Sequence, residues 1–240
     1  MLPKVDTPIY ELELISSKKR IQFRPFLVKE QKLLMMAQES AGSDKNAVIN
    51  VVKQIINNCV ISEIKIEDLP LFDIENIFLN LRARSISEVV DLNYRCMNEV
   101  EEGKKCNNVM KYDLNLLDIK PKISKEHDTR IEINEQLGMM MKYPKLNMFG
   151  EIDYTDENQI LELIISCIDS IYDAETVYHT KDVSREEIVE FVDSLPTKII
   201  DKIKKFFDTM PKISTDLNFE CNKCGHKETI ALEGIDSFFV

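Results

Sequence analysis

The residues best suited to chemistry in this 240-residue chain are four cysteines that form two distant pairs. Cys96 and Cys106 flank a polar loop in YRCMNEVEEGKKCNN, and Cys221 and Cys224 lie in FECNKCGHKETI near the C-terminus. Each pair follows an extended apolar and aromatic run and precedes another, which is typical of a turn at the tip of a β-hairpin. Four thiolates complete a tetrahedral shell around Zn²⁺. The sequence therefore predicts one metal site that contains Cys96, Cys106, Cys221 and Cys224.

The separation of the two pairs along the chain does not weaken this prediction. Cys106 and Cys221 are 115 residues apart, and closing a loop of that length costs on the order of 4 kcal/mol. A structural zinc ion contributes roughly 10–16 kcal/mol in small peptides. The ion would outweigh the cost of closure, and it would serve the architecture of the fold rather than a reaction.

Alternatives to a zinc site stay open. An iron–sulfur cluster uses the same four thiolates. A second alternative is that the cysteines bind no metal and are simply packed or free side chains. A redox pair formed by Cys221 and Cys224 fits the sequence less well, because thioredoxin-type motifs lead into a helix and KETIALEG has the pattern of a strand. The spacing of the first pair is wide for a zinc turn. His226 is a further candidate ligand, although a lone histidine beside such a turn is more often a surface residue.

Composition predicts a soluble globular protein in a reducing, cytoplasmic compartment. Hydrophobic residues make up 44% and charged residues 30% of the chain, and the formal net charge is −11. A net-negative protein is repelled by phosphate backbones, so we predict no nucleic-acid partner. No apolar run approaches the roughly 18–20 residues that span a bilayer, and the N-terminus lacks a signal-peptide pattern. Cys59 and Cys167 lie in apolar helical patterns and are predicted to be small buried side chains.

No set of residues in the sequence predicts catalysis. The three histidines, His127, His179 and His226, stand alone, and the chain has no nucleophile elbow, zinc-protease, P-loop or dinucleotide-binding motif. The carboxylates follow the polar faces of predicted helices, as in a solvated surface. We therefore predict that the protein is not an enzyme.

The pattern of elements predicts an α+β fold with helical bundle regions and a small zinc-ribbon-like β module. Four segments follow from it: an N-terminal β-hairpin plus helices (1–86), a β module with the first cysteine pair (87–134), a helical region (135–211) and a C-terminal β-hairpin with the second pair (212–240). The last segment is expected to pack on the second, so that the central and C-terminal hairpins form one module.

Three local signals locate the predicted helices more closely. Apolar residues recur at helical spacing from Ile160 to Ile171 and predict one helix, within a helical stretch that begins at Asp156. Ser184 and Glu187 have the spacing of a capping box at the start of a later helix. Asp44 is predicted to cap a helix in the first segment.

Long phrases in the first part of the chain resemble a known family. Residues 23–40, FRPFLVKEQKLLMMAQES, are similar to the opening signature of the baseplate proteins of T-even-like contractile-tailed bacteriophages. The resemblance continues through IINNCV (55–60) and LPLFDIENIFLNLRARSISE (69–88), and the cysteine-bearing strands and the closing GIDSFF match in character. It covers essentially the whole chain and is densest over residues 20–95.

Members of this family are baseplate hub subunits or hub-assembly factors. The resemblance thus implies a non-enzymatic structural or chaperone-like assembly protein, expressed late, with other baseplate hub or tail proteins as partners in an oligomeric assembly. It implies a location in the host cytoplasm during assembly or in the tail baseplate of the virion. The alternatives are a zinc-ribbon adaptor that binds a host or phage protein and a redox protein with a Cys-x-x-Cys site. The resemblance carries over no catalytic residue.

Two aromatic segments are candidate partner-binding sites. Phe23, Arg24 and Phe26 combine the residue types that dominate interface anchors. The alternative is that the two phenylalanines fill the core where the first hairpin meets a helix. Phe238 and Phe239, near the chain end, either dock on their own domain or insert into a partner.

Overall fold

The structure, a computed structural model, describes residues 5–40, 45–145, 148 and 156–234. Within these residues the chain is mixed α and β, as predicted. The helices are α1 (Val28–Ser40), α2 (Lys45–Cys59), α3 (Leu71–Ser85), α4 (Glu157–Ser166), α5 (Arg185–Asp193) and α6 (Thr197–Thr209). The strands are β1 (Tyr10–Glu13), β2 (Arg20–Phe23), β3 (Val89–Arg95), β4 (Glu99–Glu101), β5 (Lys104–Lys105), β6 (Val109–Asn115), β7 (Pro121–Lys122), β8 (Arg130–Glu132), β9 (Gly138–Met141), β10 (Ile168–Tyr172), β11 (Val177–His179), β12 (Lys212–Glu220) and β13 (Lys227–Glu233).

Contacts within the chain divide it into two compact units. Unit 1 lies within residues 1–66, 72–122 and 212–240, and unit 2 lies within residues 67–71 and 123–211. Both cysteine pairs belong to unit 1. The four-segment division expected from the sequence stays a prediction.

The first hairpin and helices α1 to α3 form the helical part of unit 1. Strands β1 and β2 pair antiparallel, with Tyr10 opposite Phe23. Helix α3 is buried around most of its circumference, so its polar side chains must find partners inside the protein. Asp73 does so by accepting a hydrogen bond from the backbone N–H of Ile15 at 2.6 Å. This bond fixes the turn of the hairpin to α3. Asp44, the predicted helix cap, lies outside the described residues.

Two further hairpins complete unit 1 and carry the cysteines. In the first, β3 pairs with β6 from Val89 opposite Asn115 to Arg95 opposite Val109. In the second, β12 pairs with β13 along seven residue pairs, and the short β7 extends this sheet on the other side of β12. Buried and exposed residues alternate along most of β12, so one face of the second hairpin packs inward.

Unit 2 combines a four-stranded antiparallel sheet with α4, α5 and α6. The strand order is β11-β10-β9-β8. The sheet and the helices share one apolar core, whose buried members are Ile131, Met139, Met141, Leu163, Ile164, Ile165, Cys167, Ile168, Ile171, Ile188, Val192, Ile199, Ile203 and Phe206.

The single helix predicted from Ile160 to Ile171 is wrong in its second half. Helix α4 ends at Ser166, and the residues that follow form β10, which pairs with β9 and β11. A continuous apolar run fits a buried strand as well as a buried helix, so the run does not distinguish them. The partner strands decide the outcome, and the segment expected to be helical, 135–211, also contains β9, β10 and β11.

The predicted start of a helical stretch at Asp156 and the predicted capping box at Ser184 are both confirmed. The side chain of Asp156 accepts a hydrogen bond from the backbone N–H of Asn158 at 2.9 Å, at the N-terminus of α4. Ser184 and Glu187 form both hydrogen bonds of a capping box before α5. No helix in the described part of the chain is long and apolar enough to cross a membrane.

Candidate metal centre

The first cysteine pair lies at the end of the β3–β6 hairpin. Between Cys96 and Cys106 the chain makes a small hairpin of its own from β4 and β5, with Gly103 at φ +70° in the turn. Such a positive φ favours glycine. This small hairpin brings Cys106 back beside Cys96, so the two cysteines are close in space although they are far apart in sequence for a zinc turn.

Reciprocal backbone hydrogen bonds hold these two cysteines together. The N–H of Cys96 donates to the carbonyl oxygen of Asn108, and the N–H of Cys106 donates to that of Asn98, both at 2.8 Å. Asn107, at φ +54°, donates its N–H to the carbonyl oxygen of Cys96 at 3.0 Å. These backbone hydrogen bonds fix the positions from which the side chains of Cys96 and Cys106 extend.

The second pair lies in the tight turn between β12 and β13. The N–H of Gly225 donates to the carbonyl oxygen of Cys221, and the N–H of Cys221 donates to that of His226, both at 2.8 Å. Gly225 has φ +70°, a conformation that costs little only for glycine. The turn presents Cys221 and Cys224 on the same side.

All four sulfur atoms lie within 4.8 Å of one another. The Sγ atoms of Cys96 and Cys224 are 3.7 Å apart, and so are those of Cys106 and Cys221. A disulfide is only about 2.05 Å long, so these are free thiols, and the sulfurs of different hairpins face each other. Cys96, Cys106 and Cys221 are buried and Cys224 is half-buried.

The sulfur separations fit the ligand shell of a single metal ion. A tetrahedron with metal–sulfur bonds of about 2.3 Å has edges of about 3.8 Å, close to the two sulfur–sulfur distances of 3.7 Å. Among the described residues, the group that can hold a metal ion consists of the four cysteines and does not include His226. The imidazole Nε2 of His226 lies 3.9 Å from Glu228 instead.

The surroundings of the cluster lower the pKa of Cys221 and raise that of Cys96. The backbone N–H groups of Cys224 and Lys223 hydrogen-bond the sulfur of Cys221 and lower its pKa to about 6. The N–H of Asn98 lowers the pKa of Cys96, but desolvation and the neighbouring sulfurs outweigh it and raise that pKa to about 12. Crowded thiolates repel one another. A cation among them would allow all four to be ionised together.

Aromatic side chains join the two hairpins beside the sulfurs. The ring of Tyr94 on β3 stacks on that of Phe219 on β12, with centroids 4.3 Å apart. Tyr112 on β6 meets the same phenylalanine edge-on at 5.3 Å. The hydroxyl of Tyr94 also hydrogen-bonds Glu228 on β13. The hairpins therefore meet along an apolar interface as well as at the cysteines.

The other cysteines are buried and do not belong to this cluster, as predicted. Cys59 and Cys167 are both fully buried. Burial raises the pKa of Cys59 to about 11 and that of Cys167 to about 12. They act as small apolar side chains, because the neutral thiol is strongly favoured.

The candidate partner-binding residues near the N-terminus make contacts within unit 1. Phe23 is buried, and the ring of Phe26 lies 6.3 Å from that of Phe78. Arg24 forms an ion pair with the buried Glu30 at 3.1 Å and donates to the carbonyl oxygen of Asn58 at 2.7 Å. Partner binding by these residues stays a prediction.

Phe238 and Phe239 lie outside the described residues.

Sequence reasoning did not single out Asn98 and Asn108. Each lies two residues after a cysteine, in Cys-Met-Asn and Cys-Asn-Asn. The carboxamide of Asn98 reaches the sulfur of Cys224 at 3.7 Å, and that of Asn108 reaches the sulfur of Cys221 at 3.6 Å. The repeated Cys-x-Asn spacing was the available signal.

Fold and site together define a mixed α and β protein in which a four-cysteine cluster joins two hairpins that are distant in sequence. A family model described as T4 bacteriophage base plate protein matches residues 7–240. The chain therefore belongs to the T4 bacteriophage base plate protein family, which confirms the resemblance found in its sequence. The baseplate hub assembly protein gp26 of Enterobacteria phage T4 is 22% identical over 231 residues, covering 96% of this chain and 97% of that protein. No solved structure matches the chain.

Proposed function

We propose that this protein is a non-enzymatic structural or chaperone-like assembly protein of the baseplate hub of a contractile-tailed bacteriophage. The observation that carries the proposal is the match to a hub assembly protein over nearly the full length of both chains. Its partners are other baseplate hub or tail proteins, which it meets in the host cytoplasm during assembly. It presents surfaces to these partners and catalyses no reaction.

The first test is genetic and structural. Phage that lack this protein should stall before a complete hub forms, and supplying the protein should restore the tails. Infectious tails made in its absence would end the proposal. Mass spectrometry of purified virions then decides between a hub subunit, which is retained, and a transient assembly factor, which is absent from the particle.

We propose further that the four cysteines bind one structural zinc ion in a zinc-ribbon-like module. Tetrahedral sites of four sulfurs are typical of zinc or iron. A [4Fe–4S] cluster binds its thiolates through different iron atoms, which holds the sulfurs farther apart than the ligands of one ion. Separations of 3.7 Å between sulfurs from different hairpins support a single ion. Elemental analysis of the purified protein tests this, with one zinc per chain as the expected result.

Two alternative functions make different predictions. A redox protein would use Cys221 as a reactive thiol, and the lowered pKa of that residue is its support. The strand β13 that follows Cys224, where thioredoxin-type sites have a helix, counts against it. Rapid alkylation of the cysteine thiols at a rate that a chelator does not change would favour redox chemistry.

A zinc-ribbon adaptor of host machinery would instead be recovered bound to a host protein in cells that contain no other phage protein.

A further inference from the structure

A repeated local structure surrounds the first cysteine pair. Cys96 and Cys106 are each followed by an exposed residue and then by a half-buried asparagine, Asn98 or Asn108. At both places the backbone N–H of the asparagine hydrogen-bonds the sulfur of the cysteine two residues before it. At both places its carbonyl oxygen accepts the N–H of the other cysteine of the pair at 2.8 Å. The two asparagines therefore occupy equivalent positions in a reciprocal arrangement.

The asparagine side chains extend this arrangement to the second hairpin. The Nδ2 atom of Asn98 lies 3.7 Å from the sulfur of Cys224, and that of Asn108 lies 3.6 Å from the sulfur of Cys221. Asn108 also donates to the side-chain oxygen of Asn222 at 2.6 Å. Each asparagine thus touches one sulfur through its backbone and a sulfur of the opposite pair through its carboxamide.

This arrangement suits a negatively charged sulfur centre. One divalent cation with four thiolates keeps a net negative charge, and it lies in a chain whose own formal charge is −11. Hydrogen bonds to the charged form of a group favour that form. Partners in the outer shell also orient ligands, and their loss commonly weakens metal binding by roughly 10- to 100-fold.

We infer that Asn98 and Asn108 are positioning residues of the metal site, whose carboxamides hydrogen-bond the thiolates of the opposite hairpin and thereby lock the two hairpins around one ion. This inference rests on the proposed metal site and deepens it. It assigns the asparagines to the outer shell, not to the ligand set. Removing either carboxamide should weaken metal binding without changing the ligands.

The test compares Asn98→Ala and Asn108→Ala with Asn93→Ala. Asn93 is an exposed residue of β3 that has the same side chain and serves as the matched control. Zinc affinity is measured by competition with a chelator, and the protein is also loaded with Co²⁺. We expect zinc binding roughly 10- to 100-fold weaker in both site variants and unchanged in the control. The thiolate-to-cobalt charge-transfer bands should shift to lower energy, because a thiolate without its hydrogen bond is a stronger electron donor.

A second measurement needs no variant and therefore does not depend on variants that fold. In the unmodified protein loaded with an NMR-active cadmium isotope, the carboxamide protons of Asn98 and Asn108 should show couplings to the metal through the N–H···S bonds. Cysteine couplings without asparagine couplings, together with unchanged zinc affinity in both site variants, would overturn this inference and leave the metal site intact. If the unmodified protein bound none of the three metals, the site and the inference would fall together.

Discussion

Asp73 is a buried charged residue of unit 1 whose carboxylate satisfies backbone N–H groups. Asp73, fully buried in the first turn of α3, accepts hydrogen bonds from the backbone of Ile15 and Ser16 in the turn of the first hairpin. Its carboxylate also accepts from the hydroxyl of Ser16. Burial raises the pKa of Asp73, although these hydrogen bonds act in the opposite direction. One side chain therefore connects the N-terminal hairpin to the central helix.

Substitutions of Asp73 should show how much its hydrogen bonds to the hairpin contribute to the free energy of unfolding. Asp73→Ala leaves the N–H of Ile15 buried without its acceptor, so we expect a loss of about 1–3 kcal/mol in the free energy of unfolding. Urea denaturation measures the loss. Asp73→Asn keeps an acceptor oxygen and should lose less, while Asp91→Ala on the exposed face of β3 should change little. Equal stability of the alanine and asparagine variants would contradict the role of the hydrogen bond.

His127 in unit 2 predicts a pH dependence. Its Nδ1 lies 3.0 Å from the hydroxyl of Thr209, and its Nε2 lies 2.9 Å from that of Tyr143. Thr209 donates to the carbonyl oxygen of Lys205 at 2.7 Å, so its oxygen is left to accept from Nδ1–H. Nε2 then accepts from Tyr143. On protonation Nε2 becomes a donor, so the Tyr143 hydroxyl would have to reverse and accept. Burial disfavours the charged ring and lowers the pKa of His127, while the charge of Asp128 partly opposes this.

The sign of the effect follows from the lowered pKa. The unfolded chain, with a histidine pKa of about 6.5, binds the proton more readily than the folded one. The stabilising contribution is therefore present above about pH 6.5 and is lost as the pH falls through the lower pKa of the folded state. His127→Phe keeps an aromatic ring and should remove this part of the pH dependence of unfolding. The control His179→Phe, at an exposed position, should leave this part of the pH dependence in place. Identical pH profiles for the natural protein, His127→Phe and His179→Phe would refute the prediction.

At the scale of elements, Gly138 sets the spacing inside the sheet of unit 2. It lies on β9 opposite Glu132 of β8 and Tyr172 of β10. A Cβ at this position would overlap the ring of Tyr172 and approach the carbonyl oxygen of Ile131 to 2.9 Å. Arg130 also contacts that side chain, because its Nε donates to the tyrosine hydroxyl at 2.7 Å. The aromatic side chain can lie across β9 only because glycine leaves the space.

We expect Gly138→Ala to destabilise unit 2 by about 1–3 kcal/mol through overpacking. A double-mutant cycle with Tyr172→Ala identifies the cause, because removing the ring should relieve most of the clash. The tyrosine substitution should therefore cost less in the Gly138→Ala background than in the natural chain. Strictly additive losses in thermal or urea unfolding would show that the clash with the ring is not the reason.

Local signals in the sequence predicted some elements and missed others for physical reasons. The capping box at Ser184 and the hairpin turn that holds Cys221 and Cys224 depend on neighbouring residues, so the sequence carries them directly. The strand after Ser166 depends on partners that are distant along the chain, and its apolar run fits a helix equally well. The asparagines beside the cysteines were missed because hydrogen bonds to sulfur have no established composition signature, although their repeated spacing was visible.

At the scale of the whole molecule, the sequence indicated that the four cysteines could come together, but it did not indicate which segments make up the two units. The four cysteines were identifiable because thiolate ligands come from few residue types. The division into units depends on how β7, β12 and the two hairpins pair, and these contacts join segments that alternate along the chain. The family was recognisable from long phrases that do not depend on those contacts.

All four candidate ligands belong to unit 1, so loss of the metal should act on that unit alone. Cys224→Ser, or treatment with a strong chelator, should lower the melting temperature and speed hydrogen exchange in β3, β6, β12 and β13, because the C-terminal hairpin is released. Exchange in β9 and β10 should stay slow. Cys167→Ser is the reciprocal control, since that thiol is buried in the core of unit 2 and is not one of the candidate ligands. Cys167→Ser should speed hydrogen exchange in unit 2, as measured by mass spectrometry. Elemental analysis should show that this variant still binds the metal. Unchanged melting of Cys224→Ser with one metal still bound per chain would mean that this sulfur is not a ligand.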